Sequence, residues 1–527
     1  MAEYVISGIS LPLDSGAADA TLVAAKKLRR AGVAAEQLSL YRRSIDARNK
    51  NEIKLVYAIR FSSATLKKET VQKLGLQIAA SDKLDIALGK ERMAARPTVV
   101  GMGPCGLFAA LLLAEYGYRP LLIERGGDVK SRVQAVDEFY KSGTLDENCN
   151  IQFGAGGAGT FSDGKLVTRI TDSRCAFVLT KLHELGAPCE ILTMAKPHIG
   201  TDILRDVVDN AAKKILELGG DIMYNTSFLG FGELKNGVRT LHTSRGDIAS
   251  SATVLAIGHS ARDTYEMLID RGTSIEAKDF SVGFRIEHLK EDIDRALYGK
   301  FAGHKALPYA EYNLSYNTKV RGVYTFCMCP GGEVVAGASE RGGLCVNGMS
   351  HYARDGKNSN SAVCVSVFRS DYGGTPRDAI EFQRHLERGA FKAGGEDYSA
   401  PVMSVGKFLG TSQEYGRVSP TYMGGKVKEA NLSLLLPEHL SVTLADGIRD
   451  FGRKIKGFDS SHAMLSGLET RTSAPLRILR SEDFTMIGED DIYPGGEGAG
   501  YAGGITSAAV DGIKIAEKII SKFRPLD

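Results

Sequence analysis

The chain has 527 residues, of which 60 are glycine, 8 cysteine and none tryptophan; 43% are hydrophobic, 24% charged, and the formal net charge is +3. Average apolar and charged fractions exclude a disordered or fibrous protein, and glycines without a triplet period exclude collagen. The length predicts two to four domains, and no apolar run approaches the ~18–20 residues of a membrane span. The opening Met1-Ala2-Glu3-Tyr4 has no basic stretch followed by an apolar one, so no secretory signal is expected. The cysteines form no CxxC pair and no Cys/His spacing suited to zinc, so we expect a reducing, cytoplasmic home and no metal.

Charge is uneven along the chain. Residues 1–96 hold 17 Lys and Arg against 10 Asp and Glu, whereas the rest hold 49 against 53. Residues 4–13 alternate like a strand, 19–31 have helical spacing, and 37–43 and 53–61 read as two further strands. This predicts a small basic βαββ (ferredoxin-like) domain over 1–95, completed by residues 69–90. The charged stretch 90–97 ends in proline and reads as a linker.

After Pro97 the texture changes. Thr98-Val99-Val100 is a short buried strand, then come glycines, a helix bearing Leu107, Leu111 and Ala114, and the strand Leu121-Leu122-Ile123. That is the first βαβ of a doubly wound sheet. Residues 201–219 predict an amphipathic helix with Thr201 as N-cap. Short strands run on to Ala256 with a hairpin at Asn236-Gly237. Residues 281–480 show no clean period, and a glycine cluster at 495–504 precedes a helix at about 505–522.

Three stretches match GxGxxG, beginning at Gly101, Gly154 and Gly498. Only the first follows a strand, opens a helix and has an acidic residue, Glu124, closing the next strand. Gly101 permits the tight turn, Gly103 lets backbone approach a pyrophosphate, and Gly106 lets helix and strand pack closely. The helix N-terminus supplies N–H groups and positive dipole, and Glu124 suits a ribose. A dinucleotide site is therefore expected here, with Pro104, Cys105 and Arg125 beside it. The C-terminal cluster decides for FAD over NAD. Gly496 and Glu497 are placed for a ribityl hydroxyl, and Gly503, Gly504 and Ile505 open a helix towards a flavin pyrimidine ring. The middle stretch, 153–165, reads as a loop passing the cofactor, with Gly157, Ser162, Asp163, Gly164 and Lys165 in contact. A surface glycine loop is its alternative.

Several longer motifs accompany these: Gly-Met-Gly-Pro-Cys-Gly at 101–106, Phe-Gly-Ala-Gly-Gly-Ala-Gly-Thr-Phe-Ser-Asp-Gly-Lys at 153–165 and Lys-Pro-His-Ile-Gly-Thr-Asp at 196–202. With them stand Gly-His-Ser-Ala-Arg-Asp at 258–263, Phe-Cys-Met-Cys-Pro-Gly-Gly at 326–332 and Gly-Glu-Gly-Ala-Gly-Tyr-Ala-Gly-Gly-Ile at 496–505. The chain resembles the bacterial family of uncharacterised FAD-dependent dehydrogenases, within the glutathione-reductase-like flavoprotein superfamily. The resemblance covers nearly the whole chain, including Ser44-Ile-Asp-Ala-Arg48. It implies that the first glycines, Glu124, the 157–165 loop, Gly258 and the 496–505 cluster surround FAD. One departure is Ala155, where an acidic residue is common.

Together these readings predict an α/β protein with a Rossmann-like, glutathione-reductase-like FAD-binding domain over 96–280 plus 481–527. An inserted α+β substrate or cap domain spans 281–480. The expected function is an FAD-dependent oxidoreductase moving a hydride between flavin N5 and a small substrate, with NAD(P)H open as a transient reductant. Catalytic residues are less legible. His259 follows a strand end, and Cys327 and Cys329 form a thiol pair that either exchanges electrons with the flavin or simply packs near it. His198, Arg262, Arg285, Glu287 and His288 read as orienting groups or as satisfied structural ones. Two alternatives remain: a nucleic-acid-modifying flavoenzyme using Arg42, Arg43, Arg48, Lys50 and Lys54 on phosphates, and a non-enzymatic FAD-binding protein. Oligomeric state is not legible.

Overall fold

The computed structural model describes residues 1–415 and 417–525. Strand Ala2–Pro12, helix Ala17–Arg30, strands Glu36–Asp46 and Lys54–Ser63, helix Lys68–Leu74 and the short strand Gln77–Ile78 follow a βαββαβ order. Their sheet runs second, third, first, fourth, antiparallel throughout. The inward residues of the first strand, Tyr4, Ile6 and Ile9, meet Ala20, Ala24 and Leu28, the buried stripe of the first helix. Spacing of four along that helix puts the small and large apolar residues on one face.

The segment expected as a linker is pinned. Glu91–Arg92 pairs in parallel with Phe523–Arg524 beyond the helix Ile505–Lys522. The Ser251 hydroxyl accepts from the N–H groups of Ala94 and Ala95, at 3.2 and 2.9 Å. Charge and a closing proline read as a linker, but main-chain groups pair whatever side chains they carry.

A five-stranded parallel sheet follows, in the order Ile492–Pro494, Thr253–Leu255, Thr98–Val100, Leu121–Ile123, Asp221–Met223. Alternation sends Val99, Leu122, Val254 and Tyr493 to one face, where helices Pro104–Glu115, Thr201–Glu217 and Ile505–Lys522 cover them. Val100, Ile123, Leu255 and Ile492 face the other way, towards Phe228 and Leu241. The strands thus run outward in both directions from Thr98–Val100, the order expected of a doubly wound sheet. Its second face carries the three-stranded antiparallel sheet Phe228–Lys235, Val238–Thr243 and Gly246–Ser250 and the helix Arg262–Asp270. Its first hairpin turns at Asn236 and Gly237, φ +53° and +75°, as a tight turn with two left-handed residues requires. Thr201 is not an N-cap either. Gly200, at φ +82°, holds that position, and the Thr201 hydroxyl instead donates to the Thr160 carbonyl at 2.7 Å.

A seven-stranded sheet spans Phe280 to Glu469 of the chain. Its order is Ser315–Asn317, Gly322–Cys329, Asn358–Val367, Phe280–Leu289, Met464–Glu469, Ala400–Ser404 and Val427–Glu429. Helices Pro376–Gly394 and Glu438–Lys454 pack on it with their apolar faces. Among the described residues no helix is long and apolar enough to cross a membrane, no group of side chains could hold a metal ion, and every cysteine is free.

Candidate active site

Between the parallel sheet and the seven-stranded sheet lies a cleft of about 320 Å³. Its floor is the turn after Thr98–Val100. Gly101 sits at φ +95°, and a Cβ there would come 2.4 Å from the Ala256 carbonyl oxygen. A Cβ on Gly106 would lie 1.9 Å from the Gly101 oxygen, so helix and strand can approach only without one. Gly103 differs: its missing side chain would meet nothing nearer than 3.9 Å, because it faces the cleft. Gly103 is the N-cap of helix Pro104–Glu115, and no side chain caps that end. The helix thus presents free N–H groups and positive dipole to whatever fills the cleft.

Glu124 closes the neighbouring strand and is buried. One carboxylate oxygen accepts from the N–H of Met102 at 2.8 Å, the other from Gly126 at 3.0 Å and Gly154 at 2.9 Å. It thereby ties three loops together. A carboxylate has about four acceptor directions, so one is left for a hydroxyl. Arg125 lies over the Phe153 ring at 4.5 Å and pairs with Asp263 at 2.7 Å.

The 153–165 loop lies against this turn: a Cβ on Gly157 would be 2.8 Å from the Gly103 Cα. Under the loop sits the fully buried Arg132. It donates to the carbonyls of Asn150 at 2.9 Å, Ala155 at 2.7 Å and Gly157 at 2.8 Å. The hydroxyl of Ser162 donates to the Gly159 carbonyl at 2.6 Å. Asp163 is fully buried, bonded to Ser350 and Arg354, with the Lys165 ammonium at 3.5 Å. Burial alone would raise its carboxyl, but Lys165 and Arg354 outweigh it and hold Asp163 below the usual carboxylate range. Burial would likewise lower Lys165, yet Asp163 and Glu311 keep it charged beside the cleft.

On the far side, Gly258 stands at φ +73° with open space before it, followed by His259. The His259 ring, 2.9 Å from the Ser260 hydroxyl, is pushed down to about 4 by burial, with Arg471 and Arg262 adding to it. It is neutral at physiological pH. Behind it Arg262 and Arg471 share the buried Glu387, at 2.8 and 2.9 Å, which joins the two sheets across the cleft.

The C-terminal cluster completes the wall. Gly496 donates to Asp511 at 2.7 Å, and its Cβ would lie 2.7 Å from that of Cys105, so the two glycine turns touch. Gly503 and Gly504, the latter at φ +87°, open onto free space at the uncapped start of helix Ile505–Lys522. Burial raises the Glu497 carboxyl to about 7, partly opposed by the Gly504 N–H and Lys278. Strand Gly322–Cys329 contributes Phe326 and Cys327 to the same cleft, strand Val346–Met349 of a two-stranded sheet contributes Asn347, and the chain just beyond Met464–Glu469 contributes Arg471 and Thr472.

Of the residues singled out from sequence, Gly106, Gly164 and Arg262 lie behind the wall; the others just described face it. Arg285, Glu287 and His288 are buried in strand Phe280–Leu289, paired with Glu469, Asn358 and the Phe458 carbonyl. His198 bonds the Tyr352 carbonyl at 3.1 Å. In the N-terminal unit Arg48 pairs with Asp46, Lys54 with Glu52, and Lys50 donates to the Ala296 carbonyl. Asn347 belongs to a stretch whose polar composition suits a pocket lining, whereas nothing in the sequence marks Arg132, Arg471 or Thr472.

Residues 279–472 match the model of "FAD-dependent protein, C-terminal domain-like". An "Uncharacterized protein" of Clostridium beijerinckii is 46% identical over 98% of both chains. The chain belongs to this family of FAD-dependent proteins. FAD is thus its cofactor, and the cleft fits it. Two uncapped helix starts open into one trough, and four glycines stand there with nothing or almost nothing before them. Among solved structures, glycine oxidase from Geobacillus kaustophilus is similar at TM-score 0.37 and 10% identity, over 81% of this chain and 94% of that one. The flavin-dependent halogenase CmlS gives 0.37 and 13%, over 82% and 59%. At these values the likeness carries nothing about activity. For the family member described here, the site must be read from its own residues.

Proposed function

We propose that the protein is an FAD-dependent oxidoreductase that moves a hydride between the flavin and a small substrate admitted between the two sheets. The observation that carries this is the convergence of the uncapped helix starts at Gly103 and Gly504 on one cleft. Bound FAD supplies two-electron chemistry at its ring. The residues supply the rest. The free N–H of Cys105 at the start of helix Pro104–Glu115 would hold the pyrophosphate, and the remaining acceptor direction of Glu124 a ribose hydroxyl. Glu497 would take a ribityl hydroxyl. The start of helix Ile505–Lys522 would stabilise negative charge on the pyrimidine side of the ring. Cys327 and Asn347 would face the ring from the cap and Lys165 from the 153–165 loop, and neutral His259 would accept or donate a hydrogen bond without carrying charge.

In this reading the unit spanning 281–480 is the substrate-bearing part, and NAD(P)H is a candidate reductant that meets the ring transiently. The test is an anaerobic stopped-flow screen of the purified yellow protein against NADH, NADPH and metabolite pools. Bleaching of the flavin band by a defined compound is the expected result. A colourless protein that takes up no added FAD would overturn the reading.

A further inference from the structure

The cleft wall on the cap side ends in Phe326-Cys327-Met328-Cys329. Strand Gly322–Cys329 pairs in register with Asn358–Val367 from Val323 to Phe326, then slips before Cys329 meets Asn360. Cys327 lies in the slip at φ +44°. A non-glycine residue pays roughly 1–3 kcal/mol for such backbone, which persists where surrounding structure enforces it. Bulges of this kind re-aim a side chain, and the residue here stands on the wall of the cofactor cleft.

Cys329 is fully buried behind it, with Sγ 3.3 Å from the Cys327 carbonyl oxygen. The buried Arg285 guanidinium reaches both: Nη2 donates to the Cys327 carbonyl at 2.6 Å and to Cys329 Sγ at 3.4 Å, while Nη1 pairs with Glu469 at 2.9 Å. A strained backbone, two thiols two positions apart and a buried cation thus meet at the cofactor cleft.

We propose that Cys327 and Cys329 are a dithiol–disulfide couple that exchanges two electrons with the flavin, so that the substrate of the oxidoreductase is a small disulfide or the corresponding thiols. The proposal rests on the flavin reading of the cleft. In the oxidising direction the Cys327 thiolate and the Cys329 thiol become one S–S bond. The Cys329 S–H bond breaks, and its proton and two electrons pass to oxidised flavin. In the reducing direction the flavin returns them, and the S–S bond opens to a thiolate and a thiol. An external disulfide closes that cycle. Cys327 Sγ bonds one of its sulfurs and expels the other as thiolate, and Cys329 Sγ then displaces the second half, its proton leaving with the products.

The charges suit these roles. A hydrogen bond from Cys329 lowers the Cys327 thiol; burial opposes this, and Arg285 and Lys165 add to it. Cys329 is raised by the same bond and by burial, so it is the thiol that keeps its proton. A bond between residues two apart is strained, and strained disulfides have the more oxidising potentials of catalytic couples.

The test is an anaerobic dithionite titration of the FAD-loaded, air-oxidised protein, with iodoacetamide alkylation and peptide mapping before and after. Wild type should take up twice the reducing equivalents that its flavin alone requires, and the peptide holding both cysteines should resist alkylation until reduced. Cys327→Ser and Cys329→Ser should each halve the uptake, and dithiothreitol, as dithiol probe, should bleach the wild-type flavin at least tenfold faster than either. Peptide mapping uses wild type alone, so the couple stands or falls on it even where a variant folds poorly. Uptake by the flavin alone, with both thiols alkylated in oxidised wild type, overturns the couple while leaving the flavin site intact; absence of bound FAD overturns the underlying reading instead.

Discussion

Glycines of one motif do two different jobs, and substitution separates them. Alanine at Gly106 would place Cβ 1.9 Å from a backbone oxygen that cannot move without breaking the turn. Gly106→Ala should therefore cost about 3 kcal/mol or more, seen as a lowered midpoint in thermal melts even without FAD. Gly503 faces open space in the cleft. Gly503→Ala should melt within about 0.5 kcal/mol of wild type when FAD-free, yet bind FAD about tenfold more weakly in fluorescence titration, a loss of ~1.4 kcal/mol. Glu497 gives a pH signature. Its carboxyl rises from 4.5 unfolded to about 7 folded, chiefly through burial. The native state then holds a proton that the unfolded state releases, so stability is lost as pH rises from about 4.5 through 7. Glu497→Gln should remove that loss, and FAD-free melts should show the variant gaining on wild type by on the order of 2 kcal/mol between pH 5 and 8.

Among the elements, the glycine loop at 153–165 depends on one side chain. From a fully buried position Arg132 satisfies the loop carbonyls of Gly154, Ala155 and Gly157 and that of Asn150 just before them, and leaving such acceptors unpaired costs about 1–3 kcal/mol each. Arg132→Met should leave the sheets folded but expose residues 150–165 to limited proteolysis and lower FAD content. Sequence shows this loop's path but not its anchor, since an arginine four positions into a helix has no local mark of burial. Asp163 illustrates the same limit: its place in the loop predicts a cofactor contact, yet its carboxylate is largely engaged by Arg354, Ser350 and Lys165. The turn at 101–106 is legible because strand, glycines, helix and Glu124 are all local. The cap is not. Phe280–Leu289 and Asn358–Val367 are covered on both faces, and they carry Arg285, Glu287, Asn358 and Asn360 inward, paired with one another or with neighbouring strands. Strands of that kind have no polar–apolar alternation to read.

At the scale of the molecule, the basic N-terminal unit is attached without contributing to the cleft. Arg43 exchanges main-chain hydrogen bonds with Thr193 and Ala195, at 2.7 and 2.9 Å, and Lys50 reaches the Ala296 carbonyl at 2.7 Å. The cleft wall begins only at Val100. Removing residues 1–80 should therefore leave FAD stoichiometry unchanged in the absorbance ratio of the purified protein; loss of the cofactor would show that the unit supports the site. The βαββ pattern of that unit is plain from periodicity, whereas its docking uses backbone groups on which sequence is silent. The closeness of Gly496 to Cys105 has a consequence for biosynthesis. The two halves of the trough lie about four hundred residues apart along the chain, so, with FAD seated as proposed, a nascent chain halted short of Gly504 would have the pyrophosphate turn but no wall for the ring. Loading with FAD should therefore follow synthesis of the C-terminal glycine cluster, and products stopped short of it, however well their first sheet forms, should emerge without colour.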